Sequence, residues 1–291
     1  MKIICLVGPT GSGKTYTSVA LAKLLKAEII NADSVQIYKE FNIGSAKATK
    51  EEQNGVKHHL LDVLDVHTNY TVFDYQKDAR NILDKLIKRD KNVIITGGTG
   101  LYIKALLYNY KFEIENKVSD KYKELTNKEL KEKIDKIYPD NKIHTNNRRR
   151  LERFLESYES TGRIIKNEDK DEKMYDFITI GLTMDRKLLY SRLDSRVDYM
   201  IENGLLHEAK SLYNKKAVVF NSIIGYKEFV PYFKGEASLG DTINLIKQHT
   251  RNYAKRQYTW FNNQMETTWF NMNVDNPSET VNEIYNFIKN I

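Results

Sequence analysis

Cysteine is nearly absent from this chain: its 291 residues carry one, Cys5. A single thiol excludes an internal disulfide framework and a cysteine-cluster zinc site. Cys5 lies in the apolar run at residues 3–7, where a buried, inert thiol is expected. Long hydrophobic runs are missing too, since no stretch approaches the roughly 18 apolar residues of a membrane span. Residues 1–7 faintly mimic a signal peptide, but the run stops at Gly8, too soon for an h-region. With no targeting segment apparent, the cytoplasm is the expected compartment. There is no internal repeat and no low-complexity linker.

What is present suits a globular protein with a sizeable core: 41% of residues are hydrophobic and 29% charged. The length allows one large domain or two of roughly 100–200 residues. The formal charge is +7. Such a surplus favours polyanionic partners, because Lys and Arg that neutralise phosphates release condensed counterions, although an ordinary basic surface gives the same balance.

Strand and helix patterns alternate early. Residues 2–7 read as a short strand, followed by a glycine loop and a helix over 15–25 with Val19, Leu21, Ala22 and Leu25 at helical spacing. Residues 28–31 read as a second strand ending near Asp33, and 73–88 as a helix with Phe73, Ile82, Leu83, Leu86 and Ile87 largely on one side. A third strand over 92–96 ends in Gly97-Gly98-Thr99-Gly100, and 101–107 resumes a helix. This repetition predicts an α/β fold, a P-loop-type parallel sheet flanked by helices. Composition shifts after about residue 111, where 113–142 is rich in mixed charge; 127–137 still carries Leu130, Ile134 and Ile137 on one helical face. The expected organisation is a core of 1–112 and 147–291 with a small helical insertion, 113–146. Residues 177–183 read as a fourth strand and 186–213 as a helix interrupted at Gly204, with a mostly helical remainder ending in an amphipathic segment, 279–291.

The strongest motif is Gly8-Pro9-Thr10-Gly11-Ser12-Gly13-Lys14-Thr15, which matches G-x-x-x-x-G-K-[ST] between a strand and a helix. Its glycines let backbone amides turn around phosphate oxygens, Lys14 adds a cation, and the Thr15 hydroxyl can ligate Mg²⁺. The loop therefore binds a diphosphate or triphosphate. A nucleotide hydrolase usually carries a metal-holding carboxylate at the end of a second apolar strand. Here the strand ending at Thr96 has none, and the acid that follows a strand is Asp33. Position alone leaves three roles open for Asp33: metal-site carboxylate, general base, or helix cap. Arg192 and Arg196, four apart on one helical face, suit a shared anion, but spacing alone favours a solvated salt-bridge face. Adjacent His58 and His59 point in different directions on any regular element, so a role in structure or in supporting the residues around a site is expected rather than a metal site.

Taken together the motifs resemble the tRNA dimethylallyltransferase (tRNA isopentenyltransferase) family, bacterial type. The matching segments are GPTGSGKT (8–15), NADSVQIYKEFNIGSAKA (31–48), HHLLDV (58–63), YTVFDYQKDA (70–79), GGTGLYIKALL (97–107), the arginine-rich stretch 185–208, IIGYKE (223–228) and TRNYAKRQYTWF (250–261). They run in family order over nearly the whole chain. The resemblance implies transfer of a dimethylallyl group from dimethylallyl diphosphate to N6 of the adenosine 3′ of the anticodon, with Mg²⁺ as cofactor. It implies catalytic roles for Asp33 as base, for Thr99 beside it and for Arg192. It implies diphosphate binding by Gly8–Thr15 and Arg196, and magnesium at Thr15. It also implies tRNA contacts from Ser34, Val35 and Gln36, from Arg149, Arg150 and Arg153 in the densest basic run, from Ser222, Gly225, Tyr226 and Lys227, and from Arg251, Lys255 and Arg256. The partners implied are the tRNA anticodon stem-loop and the allylic donor, and nothing in the sequence demands more than a monomer.

The chain departs from the family where Ala48 replaces the usual proline of I-G-T-A-K-P, Ser45 keeps the hydroxyl, and Asn262 stands where arginine is frequent. Three other functions stay compatible with the motifs: a P-loop kinase of a nucleoside or small metabolite, an isopentenyltransferase of free adenine nucleotides, and a non-catalytic RNA-binding module. The basic C-terminal half weighs against the free-nucleotide enzyme, which needs no extended cationic surface.

Overall fold

The computed structural model describes residues 1–112, 120–164 and 171–291. Two compact units emerge, one formed by Met1–Leu107 with Met174–Ile291 and the other by Tyr108–Lys173.

The larger unit is built on strands β1 (Ile3–Val7), β2 (Glu28–Asn31), β3 (His58–His59), β4 (Val93–Thr96), β5 (Ile178–Thr183) and β6 (Thr268–Asn271). They form a single sheet in the order β3-β2-β4-β1-β5-β6, every pairing parallel. Parallel neighbours need long crossovers, and helices supply them. These are α1 (Lys14–Leu25), the short α2 (Lys50–Gln53), α3 (Val72–Lys88) and α4 (Gly100–Leu107). Later in the chain come α7 (Arg186–Glu202), α8 (Leu205–Asn214), α9 (Phe229–Phe233), α10 (Leu239–Gln264) and α11 (Pro277–Lys289), with α5 (Asn127–Ile137) and α6 (Arg148–Thr161) in the smaller unit.

β1 lies at the centre with all five residues buried, which is why its sequence is an unbroken apolar run rather than an alternating one. Cys5 is fully buried there, and burial pushes its thiol pKa far up, so the inert thiol expected from sequence is the one found. On one face Ile4, Leu6, Ile180 and Leu182 meet Val19, Leu21, Leu189, Leu193 and Ile284 from the helices. The α/β parallel architecture read from sequence holds. The two edge strands escaped that reading: β3 is two half-buried histidines, and β6 buries Phe270 alone among its four residues, so neither offers an apolar period. No helix among the described residues is long and apolar enough to cross a membrane.

The smaller unit corrects an expected boundary. Helix α6 was assigned to the core by a division at 147; its Leu151, Phe154 and Leu155 instead pack with Tyr122, Leu130, Ile134 and Ile143 of the preceding segment. Arg148 reinforces this by donating to the carbonyls of Tyr122 (2.7 Å) and Leu125 (2.8 Å). An α6 face this apolar could not stay ordered without α5 beneath it. Asn147 caps α6 through the Arg150 amide, and a Thr126–Glu129 capping box opens α5. The expected start of the insertion, 113–119, lies outside the described residues.

Replacing the fully buried Leu130 with alanine should cost about 2–5 kcal/mol of local stability. Hydrogen exchange should then speed up in both α5 and α6 while β1 and β4 keep their protection; an α6 that stayed protected would restore the boundary at 147.

Candidate active site

The C-terminal ends of β1, β2 and β4 converge, and a cavity of about 1070 Å³ opens above them within the larger unit. The loop after β1 ends at Gly13, in the left-handed region at φ +91°, directly before α1. The first amides of α1 have no intrahelical acceptors, so they and the helix dipole favour an anion there. Thr10, Gly11, Gly13, Lys14 and Thr15 line the cavity, whereas Gly8, Pro9 and the fully buried Ser12 lie behind it. Ser12 Oγ has no hydrogen-bond partner among the described residues. Lys14 Nζ donates to Gly8 O (2.9 Å) and Pro9 O (2.8 Å). Burial lowers the Lys14 pKa to about 8, opposed by the negative charge of Asp33 and assisted by Arg196.

Asp33 follows β2, and its two carboxylate oxygens have different duties. Oδ1 accepts from the amides of Val35 (2.9 Å) and Gln36 (3.2 Å), the capping role that sequence left open. Oδ2 accepts nothing from the described residues, and Asp33 lines the cavity with Ser34, Val35 and Gln36. Capping by one oxygen therefore orients the other. Thr99 does not line the cavity. Its Oγ1 accepts from the Ser34 amide (3.0 Å) and donates to Ser34 Oγ (3.1 Å), so it clips the Asp33 turn to the loop after β4.

The β2 and β4 loops touch backbone to backbone. A Cβ on Gly97 would lie 2.2 Å from the Ala32 carbonyl. On Gly98 it would lie 2.8 Å from Gln257 Nε2 and 3.0 Å from Asp33 Oδ2. Backbone permits only glycine at 97, whereas a side chain at 98 would displace Gln257 and Asp33. Above them stands α10, where Gln257 and Tyr253 both donate to Gly98 O, at 2.8 and 3.1 Å. Burial and the nearby Asp33 raise the Tyr253 pKa, which keeps its hydroxyl a donor.

Helix α7 brings both expected arginines to the cavity. Arg196 reaches Thr10 Oγ1 at 3.3 Å; burial lowers its pKa, and Glu52 across the cavity counters that effect. Arg192 is exposed and makes no ion pair with a described residue. Arg256 lines the cavity with its guanidinium 5.7 Å from the Tyr253 ring centre. Arg251 is tied instead to Asp194 of α7 at 2.5 Å, and Lys255 is exposed outside the cavity lining.

Ser222 and Lys227 reach the cavity, but Gly225 and Tyr226 do not. Tyr226 is fully buried, edge-on to Phe41, with its hydroxyl donating to Glu208 Oε1 (2.7 Å). A side chain so enclosed cannot meet RNA, and Gly225 is buried beside it. Glu208, which the sequence reading did not single out, also accepts from the amides of Asn42 (3.1 Å), Ile43 (2.9 Å) and Gly44 (3.1 Å). It thereby holds the turn whose Ser45 carbonyl fixes Gln36 Nε2 at 3.0 Å. Gln257 was missed as well. Its signal was an uncharged polar residue in a run of cations and aromatics, too weak to read without partners. Arg149, Arg150 and Arg153 are exposed on α6 of the smaller unit.

The described residues include no group of three or more His, Cys, Asp or Glu that could hold a metal ion. His59 pairs with Glu28 at 2.7 Å, and His58, which lines the cavity, bonds the Val56 carbonyl. The Thr15 hydroxyl faces the cavity without a hydrogen bond to any described residue. One protein oxygen suits Mg²⁺, which keeps several waters and takes most remaining ligands from a substrate's phosphates.

The IPP transferase family model matches residues 36–264. The tRNA dimethylallyltransferase of Anoxybacillus flavithermus is 44% identical over 99% of this chain and 96% of its own length. The crystal structure of a tRNA delta(2)-isopentenylpyrophosphate transferase from Staphylococcus epidermidis is 37% identical, covers 99% of this chain and 98% of its own, and has a TM-score of 0.75. A eukaryotic dimethylallyltransferase acting on tRNA is 29% identical, with a TM-score of 0.83 over 100% of this chain and 80% of its own.

The depressed Lys14 pKa fixes the sign of a pH effect. Below about pH 8 the free protein holds the ammonium that an anion needs; above it the charge is lost. The ratio of inorganic diphosphate affinity between the unaltered protein and Lys14→Met should therefore fall as pH rises from 7 to 9. Calorimetric titration checks this, and a ratio independent of pH would place the anion away from Lys14.

Proposed function

This chain belongs to the IPP transferase family, and we propose that it transfers a dimethylallyl group from dimethylallyl diphosphate to N6 of the adenosine 3′ of the anticodon in tRNA. The observation that carries the reading is one cavity lined both by Asp33, whose Oδ2 accepts from no described residue, and by an anion cradle with Lys14 and Arg196. A kinase would instead place a metal-binding carboxylate at the end of β4, where Thr96 donates to Leu6 O.

The chemistry follows from those groups. An exocyclic adenine amine is a poor nucleophile because its lone pair is delocalised into the ring. In the reaction N6 forms a bond to C1 of the donor, the C1–O bond breaks with its electrons leaving on diphosphate, and the N6 proton passes to Asp33 Oδ2. The amides at the start of α1, Lys14, Arg192 and Arg196 meet the charge that develops on the leaving oxygens. Mg²⁺ bound at Thr15 would supply further neutralisation of that charge. Tyr38, Leu61, Tyr70 and Tyr102 give the cavity an apolar wall suited to the five-carbon tail.

The adenine must leave the anticodon stack to reach Asp33. Ser34, Val35 and Gln36 would then face its edges, with Ser222, Lys227 and Arg256 at the cavity wall holding adjoining nucleotides. Exposed Lys255, Arg149, Arg150 and Arg153 serve the RNA backbone. We place the activity in the cytoplasm, carried by a monomer.

Incubation with Mg²⁺, dimethylallyl diphosphate and unmodified tRNA, followed by mass analysis of the nucleosides, should yield a prenylated adenosine. Asp33→Ala should lower its formation by about 10²–10⁴-fold while tRNA binding persists. Consumption of ATP in place of the allylic donor would sink the proposal, and prenylation of free AMP but not tRNA would move it to the nucleotide-modifying class. Arg192→Ala should reduce kcat by about 10²–10³-fold with little change in tRNA affinity, measured under donor saturation. An equal loss of tRNA affinity would reassign Arg192 to RNA binding.

A further inference from the structure

The Gln257 side chain joins the phosphate loop to the Gly98 turn beside Asp33. Its Oε1 accepts from the Thr10 amide at 2.8 Å, and its Nε2 donates to Gly98 O at 2.8 Å. It is buried, and both ends of its amide are committed. Thr10 in turn receives Arg196 at its hydroxyl, so the arginine on the leaving-group side and the Gly98 turn that abuts Asp33 are joined through one helical residue. Tyr253, one turn earlier on α10, donates to the same Gly98 carbonyl but has no bond to the phosphate loop. Resting on the transferase reading above, we propose that Gln257 is a positioning residue that sets the spacing between the donor's C1 and the adenine N6.

The physical case is one of tolerance. Displacement of an allylic diphosphate needs its nucleophile close and in line, and a misplacement of about 1 Å can cost 10²-fold in rate. The phosphate loop and the Gly98 turn belong to separate strands, β1 and β4, whose pairing ends at Leu6 and Thr96. Beyond that rung the two loops share no ladder hydrogen bond, and Gln257 provides a cross-tie. The crowding at Gly98 fits this role: Gln257 Nε2 and Asp33 Oδ2 lie 2.8 and 3.0 Å from the same point above its α-carbon. A shift of the glutamine therefore displaces the surroundings of the base as well as the loop.

Loosening the tie leaves the ionising donor open to water. The C1–O bond still breaks and diphosphate still leaves, but C1 bonds to a water oxygen, and loss of a water proton gives dimethylallyl alcohol. The ratio of diphosphate released to prenylated adenosine formed is thus a readout that simple destabilisation would not move.

The test compares the full-length protein with Gln257→Met, which keeps the side-chain volume and removes both hydrogen bonds. Melting temperature, affinity for inorganic diphosphate and affinity for tRNA are measured beside the ratio. Gln257→Met should lower kcat about 10–100-fold, leave both affinities within about twofold, and raise the ratio above its unaltered value. Gln257→Glu, which can still accept from Thr10 but cannot donate to Gly98, should raise the ratio in the same direction and decides the matter if the methionine variant does not fold. An unchanged ratio in a folded variant overturns the proposal. So does a fall in diphosphate affinity matching the fall in rate, which would make Gln257 a support of the phosphate loop alone. Absence of prenylated adenosine from the unaltered protein would instead count against the transferase reading itself.

Discussion

Strands β2 and β4 run side by side and deliver their following loops to one place, where Ala32 and Gly97 meet with no room for a side chain between them. That contact is bound at both ends, by Ala32 N to Thr96 O (2.8 Å) and Thr99 N to Ala32 O (3.1 Å). It sets how far Asp33 can stand from the loop after β1. Thr99 then secures the turn from one side, and the Val35 and Gln36 amides hold Asp33 Oδ1 from within. A floor made of backbone leaves one oxygen of Asp33 without a donor among the described residues.

Charge around that floor is unbalanced. Among the described residues the cavity is lined by the cations Lys14, Arg192, Arg196, Lys227 and Arg256 and by the acids Asp33 and Glu52. Burial above all, with a smaller contribution from the neighbouring cations, lowers the pKa of Lys14 and of Arg196, and the acids Asp33 and Glu52 work against it. A bound polyphosphate relieves that imbalance, so the same arrangement that burdens the free protein favours the ligand.

Much of this was legible in the sequence because some chemistry is written in neighbouring residues. The phosphate loop, the Asp33 turn and the arginine pair each depend on spacings of a few positions, and the structure brings the core of each to one cavity. What stayed hidden depends on distance. Gln257 acquires its role from Thr10 and Gly98, 247 and 159 residues away. Glu208 acquires its own from amides about 165 positions earlier. Tyr226 sat within a matched motif, yet the motif marks a packing position, and only burial distinguishes the two. Helix α6 looked like a basic surface element of the core because its arginines are conspicuous. The apolar stripe beneath them decides where it folds.

The isolation of Cys5 has a practical side. The chain's one sulfhydryl is sealed inside the central strand and held in its unreactive form, so the folded protein should be silent toward maleimides and iodoacetamides. A cysteine introduced at any exposed position would be the sole addressable thiol, giving site-specific dyes or spin labels without first clearing the background.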